Sequence, residues 1–142
     1  MAWQRLITYQ KDTRLLILRF LKKAGLDLVI SVEIQQLYDL ITYYLKTNHE
    51  GPGKHVCNCG YMVSSDARGM GIARQMCEHS QVTAVAMGFN AMQFNFVASS
   101  NDVALALWKK LGFDVVGTLP RAFNHPKLGL VDAFVMYKWL SD

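Results

Sequence analysis

A chain of 142 residues with 51% hydrophobic and 18% charged side chains carries enough apolar material for one packed core, which excludes a disordered chain. Its formal net charge of +4 suits an anionic ligand, but without a dense Lys/Arg stripe no nucleic-acid partner is expected. No apolar stretch reaches the ~18–20 uncharged residues of a membrane span, and the opening Met-Ala-Trp-Gln-Arg leads into no cleavable leader, so neither membrane nor secretion is expected.

In chain order, residues 13–23 fit either a helix with a basic face or a strand around residues 15–18, and Gly25 ends that segment. Residues 26–32 have strand composition, residues 33–40 show weak helical spacing, and Ile41–Thr47 reads as a strand. Asn48, Gly51, Pro52 and Gly53 spell a turn within residues 46–54. Residues 55–63 form a strand that runs into the small polar loop Ser64-Ser65-Asp66. After Gly69 and Gly71, residues 72–87 have helical length, with Ile72, Met76, Val82, Val85 and Ala86 as apolar positions before Gly88. Ala91–Ala98 alternates Met92, Phe94 and Phe96 against Gln93 and Asn95, which predicts a strand.

Asn101 is placed to cap a helix over residues 102–111, in which Val103, Ala106, Leu107 and Leu111 share a face. Gly112 ends it, a strand follows over residues 113–119, residues 120–129 read as a loop, and residues 130–139 form a last strand. Strand–helix–strand–helix–strand with short connections predicts one α/β or α+β domain over residues 1–142, with a partly parallel sheet.

The segment Arg68-Gly69-Met70-Gly71-Ile72-Ala73 joins a predicted strand to a predicted helix. The first N–H groups of a helix lack intrahelical partners, and the helix dipole adds positive charge there. Glycines admit a ligand close to the main chain, so the segment suits a pyrophosphate, with Arg68 and Arg74 adding charge. A Walker loop needs Gly-x-x-x-x-Gly-Lys-Ser/Thr, which is absent; a dinucleotide fingerprint needs a third small residue where Arg74 stands.

What remains, Arg-x-x-Gly-x-Ala, resembles the acetyl-coenzyme A signature of the GNAT superfamily of N-acetyltransferases. The likeness extends over roughly residues 42–140, with 54–140 as the acetyl-CoA-binding core and residues 1–50 poorly matched. It includes Ala104-Leu105-x-Leu107-Trp108-x-x-Leu111-Gly112-Phe113, which looks like the family's second cofactor-side motif. The resemblance implies a mixed, partly parallel sheet flanked by helices, with an abbreviated or atypical opening.

It further implies that Met62, Val63 and Ser64 pair with the pantetheine arm, and that the main chain of Gly69, Met70, Gly71, Ile72, Ala73 and Arg74 holds the pyrophosphate. Asn101 matches a position that contacts the cofactor, and a backbone N–H near the strand end polarises the thioester carbonyl. The implied activity is acetyl transfer from acetyl-CoA to a primary amine of a small-molecule or amino-acid-like acceptor, by direct attack in a ternary complex. The alternative is a non-catalytic acyl-CoA-binding or sensing module.

Relatives carry a tyrosine acid on the later helix where Trp108 stands here, and Trp108 reads instead as a core or cofactor-packing aromatic. Ser99 is one replacement donor, and His55 or Tyr61 offers a proton relay in a strand that has no acid. In the family the hairpin after the later helix borders the acceptor, which marks Arg121, Phe123, His125 and Tyr137 as substrate candidates.

His55, Cys57 and Cys59 alternate on one strand face but have no second ligand pair, so buried cysteines rather than a metal site are expected. Three cysteines cannot complete a disulfide framework, and the default is a cytoplasmic protein. A short opening half leaves sheet edges that a homodimer would cover.

Overall fold

The computed structural model describes residues 6–11, 14–21, 28–34, 41–63, 69 and 71–141, with backbone alone before Tyr43. Its strands are β1 (Leu6–Lys11), β2 (Arg14–Leu21), β3 (Leu28–Ile34), β4 (Ile41–Thr47), β5 (Val56–Met62), β6 (Ala91–Ala98), β7 (Asp114–His125) and β8 (Gly129–Trp139). Two α-helices, α1 (Ile72–Ala86) and α2 (Asp102–Lys110), connect β5 to β6 and β6 to β7. The strands form one sheet in the order β1-β2-β3-β4-β5-β6-β8-β7. Only β5 and β6 run parallel, as a crossover through a helix requires; every other neighbour is antiparallel. This is the mixed, partly parallel architecture expected from the sequence.

Strand alternation decides which side chains meet the helices. Tyr43 and Leu45 of β4 stand opposite Tyr61 and Cys59 of β5; Cys57 stands opposite Met92 of β6, and Phe94 opposite Met136 of β8. These residues build the core with a stripe of α1 (Ile72, Met76, Cys77, Ser80, Ala84) and with Leu105 and Trp108 of α2. Positions 72, 76, 80 and 84 recur every four residues, the spacing of a helix face laid on a sheet. Both helices lie on this face. Lys138 ties them together: its ammonium donates to Gln81 Oε1 at 2.5 Å and to the Leu111 carbonyl at 2.8 Å.

Three expectations need correction and one falls out of reach. The apolar positions read for the two helices are only partly their buried faces: Val82, Val85, Ala86, Val103 and Ala106 are exposed, while Cys77, Ser80, Ala84, Leu105 and Trp108 are buried. The four-residue spacing from Ile72 and the packing of Trp108 on Tyr61 set which stripe meets the sheet. Residues 14–21 form a strand paired on both sides, so the helical alternative for residues 13–23 is withdrawn. The loop expected over residues 120–129 is mostly strand, because β7 continues through Pro120 to His125 and only a tight turn links it to β8. Proline is tolerated because β7 is the edge strand, where one row of N–H groups has no ladder partner to lose. A register shift between Leu119 and Phe123 absorbs the irregularity. The helical spacing over residues 33–40 meets β3 at Glu33 and Ile34, and residues 35–40 lie outside the described residues.

Candidate functional site

The parallel pair β5–β6 holds together for only three residue pairs, Val56↔Ala91, Cys57↔Met92 and Asn58↔Gln93. Beyond that row β5 runs four residues further and β6 five, without pairing to each other. The strands therefore splay into a cleft, and β5 from Cys59 to Met62 keeps its ladder only with β4. Backbone groups along that edge are open to an extended ligand.

The splay point is pinned by Asn58, which is 3% exposed. Its Nδ2 donates to the Gln93 carbonyl at 3.1 Å, bridging the two strands at their last paired row. Its Oδ1 accepts from the Tyr44 hydroxyl at 2.9 Å. The Tyr44 ring lies so close over Gly60 that a Cβ there would sit 2.6 Å from a ring carbon. A buried amide needs partners, and here they lock the geometry of the cleft.

The start of α1 lies at the same end of the sheet. Gly69 and Gly71 have φ of 77° and 73°, left-handed values that glycine adopts without strain. Among the described residues nothing lies within 4 Å of where either Cβ would be, so the positive φ rather than crowding calls for glycine. Gly71 is the N-cap of α1, with no side-chain cap and no acidic residue in the first turn. Among the described residues no side chain caps the helix's first N–H groups, and a helix start of this kind can receive an anion. The contrast with α2 is direct: Asn101 Oδ1 accepts from the Ala104 N–H at 3.2 Å, and Asp102 occupies its first turn. That helix satisfies its own start.

Of the residues singled out by sequence, Met62 (68% exposed), half-buried Val63, Gly69, Gly71, buried Ile72, Ala73 and Arg74 gather at this end. Arg74 already pairs with Glu78 at 2.9 Å on the exposed helix surface. Ser64, Arg68 and Met70 lie outside the described residues. Ser99 follows β6 at the same end, its N–H donating to the Asp132 carbonyl at 2.8 Å.

Tyr61 is held in the core. Its hydroxyl is 2.7 Å from Ser80 Oγ, and its ring stacks on Trp108 at 5.0 Å and meets Phe94 edge-on at 5.6 Å. Burial pushes its phenol well above the usual range. Trp108 is 7% exposed in the same cluster. His55 precedes β5 at the opposite end, bonded to the Pro52 carbonyl at 3.1 Å and edge-on to Trp139. At ~3.3 Å per residue it stands on the order of 20 Å from Met62.

Phe123 on β7 reaches Phe96 of β6 at 6.2 Å and His125 at 6.2 Å. His125 Nδ1 accepts from the N–H groups of Lys127 and Leu128, closing the β7–β8 turn. Tyr137 stands opposite Gln93, on the face turned away from α1 and α2. Cys57, Cys59 and Cys77 are all free and buried, with the Cys57 and Cys59 thiols pushed up to about 12 by burial. Sequence reasoning passed over Asn58, Tyr44 and Asp132. An asparagine inside an apolar strand was the available signal for the first; nothing local marked the other two.

Residues 17–113 match the acetyltransferase (GNAT) family. Over 96 residues the chain is 33% identical to N-acetyltransferase aca1 of Schizosaccharomyces pombe, a match covering 66% of this chain. The chain spans 45% of that relative's length. A GCN5-related N-acetyltransferase from Kribbella flavida is similar in structure, with a TM-score of 0.76 at 38% identity over 84% of this chain and 71% of that one. yncA from Salmonella typhimurium, solved with its cofactor acetyl-CoA, shares the fold with a TM-score of 0.69 at 19% identity over 83% and 66% of the two chains.

Proposed function

Because this chain belongs to the acetyltransferase (GNAT) family, we propose that it transfers an acetyl group from acetyl-CoA to a primary amine of a small-molecule or amino-acid-like acceptor. The observation that carries the reading is the splay of β5 from β6 beside an uncapped, glycine-led helix start. The open edge of β5 suits an extended amide-bearing arm, and the start of α1 suits a pyrophosphate. The solved relative yncA, whose cofactor is acetyl-CoA, has the same fold.

In this reading Met62, Val63 and Ser64 pair with the pantetheine arm, and the main chain from Gly69 through Arg74 holds the pyrophosphate. The free amine attacks the acetyl carbonyl, a C–N bond forms and the C–S bond breaks. The amine nitrogen gives up a proton and the departing thiolate takes one. A main-chain N–H at the end of β5 polarises the carbonyl. Of the three side-chain candidates, Ser99 follows the end of β6 that borders the cleft, Tyr61 is packed against Ser80 and Trp108, and His55 lies at the other end of β5. Arg121, Phe123, His125 and Tyr137 border the acceptor.

Three free thiols fit a cytoplasmic setting, and among the described residues no helix is long and apolar enough to cross a membrane. The exposed edge at β7 suits a homodimer, which light scattering on the purified protein checks.

Calorimetric titration with acetyl-CoA, repeated on Gly71→Glu, tests the reading. A side chain there is strained, and its carboxylate faces the phosphates, so affinity is expected to fall at least ~100-fold. Absence of binding by folded wild-type protein sinks the proposal. The core positions of Tyr61 and the distance of His55 favour one second reading, a non-catalytic acyl-CoA-binding module. Binding without thiolate release across a panel of amines selects it.

A further inference from the structure

Arg121 is the only non-glycine residue with a positive φ among the described residues, at 54°. It lies in the β7 irregularity, where four residue steps from Leu119 to Phe123 oppose two steps from Ala133 to Val131 on β8. A left-handed arginine is strained and persists only where its surroundings hold it. The holder is Asp132, the β8 residue opposite the bulge, whose Oδ1 accepts from the Arg121 N–H at 2.8 Å. Through its own carbonyl Asp132 also takes the Ser99 N–H at 2.8 Å. One residue thus joins the strained bulge to the end of β6, where the cleft opens.

The bulge places two features at that rim. The Arg121 side chain is exposed and enters no ion pair among the described residues. Phe123 stands half-buried against Phe96, which is 51% exposed, and their rings form an apolar ledge across β8. An unpaired cation repels polycations, whereas an open aromatic pair attracts a flat apolar group.

Resting on the acetyl-transfer reading above, we propose that Asp132 is a positioning residue: it clamps the Arg121 bulge so that Arg121 and the Phe96–Phe123 ledge form an acceptor rim selecting amines with an aromatic group over polyamines. Asparagine keeps the accepting oxygen; alanine removes it and releases the bulge.

The test measures thiolate release with phenethylamine and with spermidine as probe acceptors, alongside acetyl-CoA titration of each variant. Wild type is expected to show a phenethylamine KM at least ~10-fold below that for spermidine. Asp132→Ala is expected to raise the phenethylamine KM ~5–20-fold at unchanged acetyl-CoA affinity, and Asp132→Asn to restore it to within about threefold of wild type. Phe123→Ala, on the exposed edge strand with the clamp intact, is expected to raise the same KM. The proposal is overturned if spermidine is the better acceptor, if neither probe reacts while acetyl-CoA binds, or if Phe123→Ala leaves the phenethylamine KM unchanged. Equal KM values for Asp132→Ala and wild type, or equal losses in Asp132→Asn and Asp132→Ala, overturn the clamp. Failure of wild type to bind acetyl-CoA instead removes the family-based reading.

Discussion

At Gly60 the absence of a side chain shapes the cleft wall. A Cβ would meet the Tyr44 ring at 2.6–2.8 Å, so Gly60→Ala must push Tyr44 off Asn58. Overpacking of this kind costs roughly 1–3 kcal/mol. The expected outcome is a melting temperature several degrees lower and weaker acetyl-CoA binding; a variant that melts and binds like wild type would show that the ring moves freely. The cysteines make a second residue-scale prediction. Burial holds the Cys57 and Cys59 thiols near pKa about 12 and raises that of Cys77, so thiolate is scarce at neutral pH. A colorimetric thiol reagent at pH 8 should find almost none of the three cysteines in native protein and all three in guanidinium. Rapid native labelling of one thiol would contradict the packing around it.

Between elements, the decisive relation is where β5 leaves β6. Asn58 stands in for a ladder bond at that point and accepts from Tyr44 at the same time. Asn58→Ala removes both partners from a buried site, at a cost of roughly 1–3 kcal/mol, and lets the splay point shift. A lower urea midpoint with reduced acetyl-CoA affinity is expected, whereas a lower midpoint with unchanged affinity would confine Asn58 to a stability role. Similar logic separates the helices. α2 carries its own cap and acidic first turn, while α1 has neither, although both follow strands at the same end of the sheet. The difference between the two helix starts is that α2 meets its own capping need and α1 does not, which is what the proposed pyrophosphate site at α1 rests on.

Across the whole molecule, α1 is docked on the sheet partly through a titratable contact. His79 Nδ1 lies 2.6 Å from the Tyr43 hydroxyl, under which Tyr43 is 1% exposed. Burial lowers the His79 pKa below 6.5, so the folded protein resists a proton that the unfolded chain accepts. Between the two pKa values the unfolded state binds more protons, and stability rises with pH. The melting temperature should therefore fall as pH drops below about 6.5, and His79→Gln should flatten that slope. An unchanged slope in the variant would move the acid sensitivity to another group.

How much of this was readable in advance follows from where the information sits. The Gly-x-Gly loop, the helical length of α1 and the Asn101 cap are local patterns, and local patterns set element type and the family likeness. The buried stripe of α1 was read only at Ile72 and Met76, since Val82 and Val85 are exposed. β6 took the bounds that alternation predicts because Gly88 and Asn90 precede it, Ser99 and Ser100 follow it, and it packs apolar side chains on the helices. The full extent of β7 was hidden, since Pro120 reads as a strand breaker unless the strand is known to lie at an edge. The packing of Tyr61 under Trp108 was hidden too, because the two residues are 47 positions apart and meet only when α2 docks on the sheet. The remoteness of His55, in contrast, follows from its place at the far end of β5. Sequence alone established the loop, the helix start and the family, all carried by residues close together in the chain. The splay at Asn58, the Tyr44–Gly60 contact and the Asp132–Arg121 clamp join residues 11 to 35 positions apart, and only pairing of the strands brings them together.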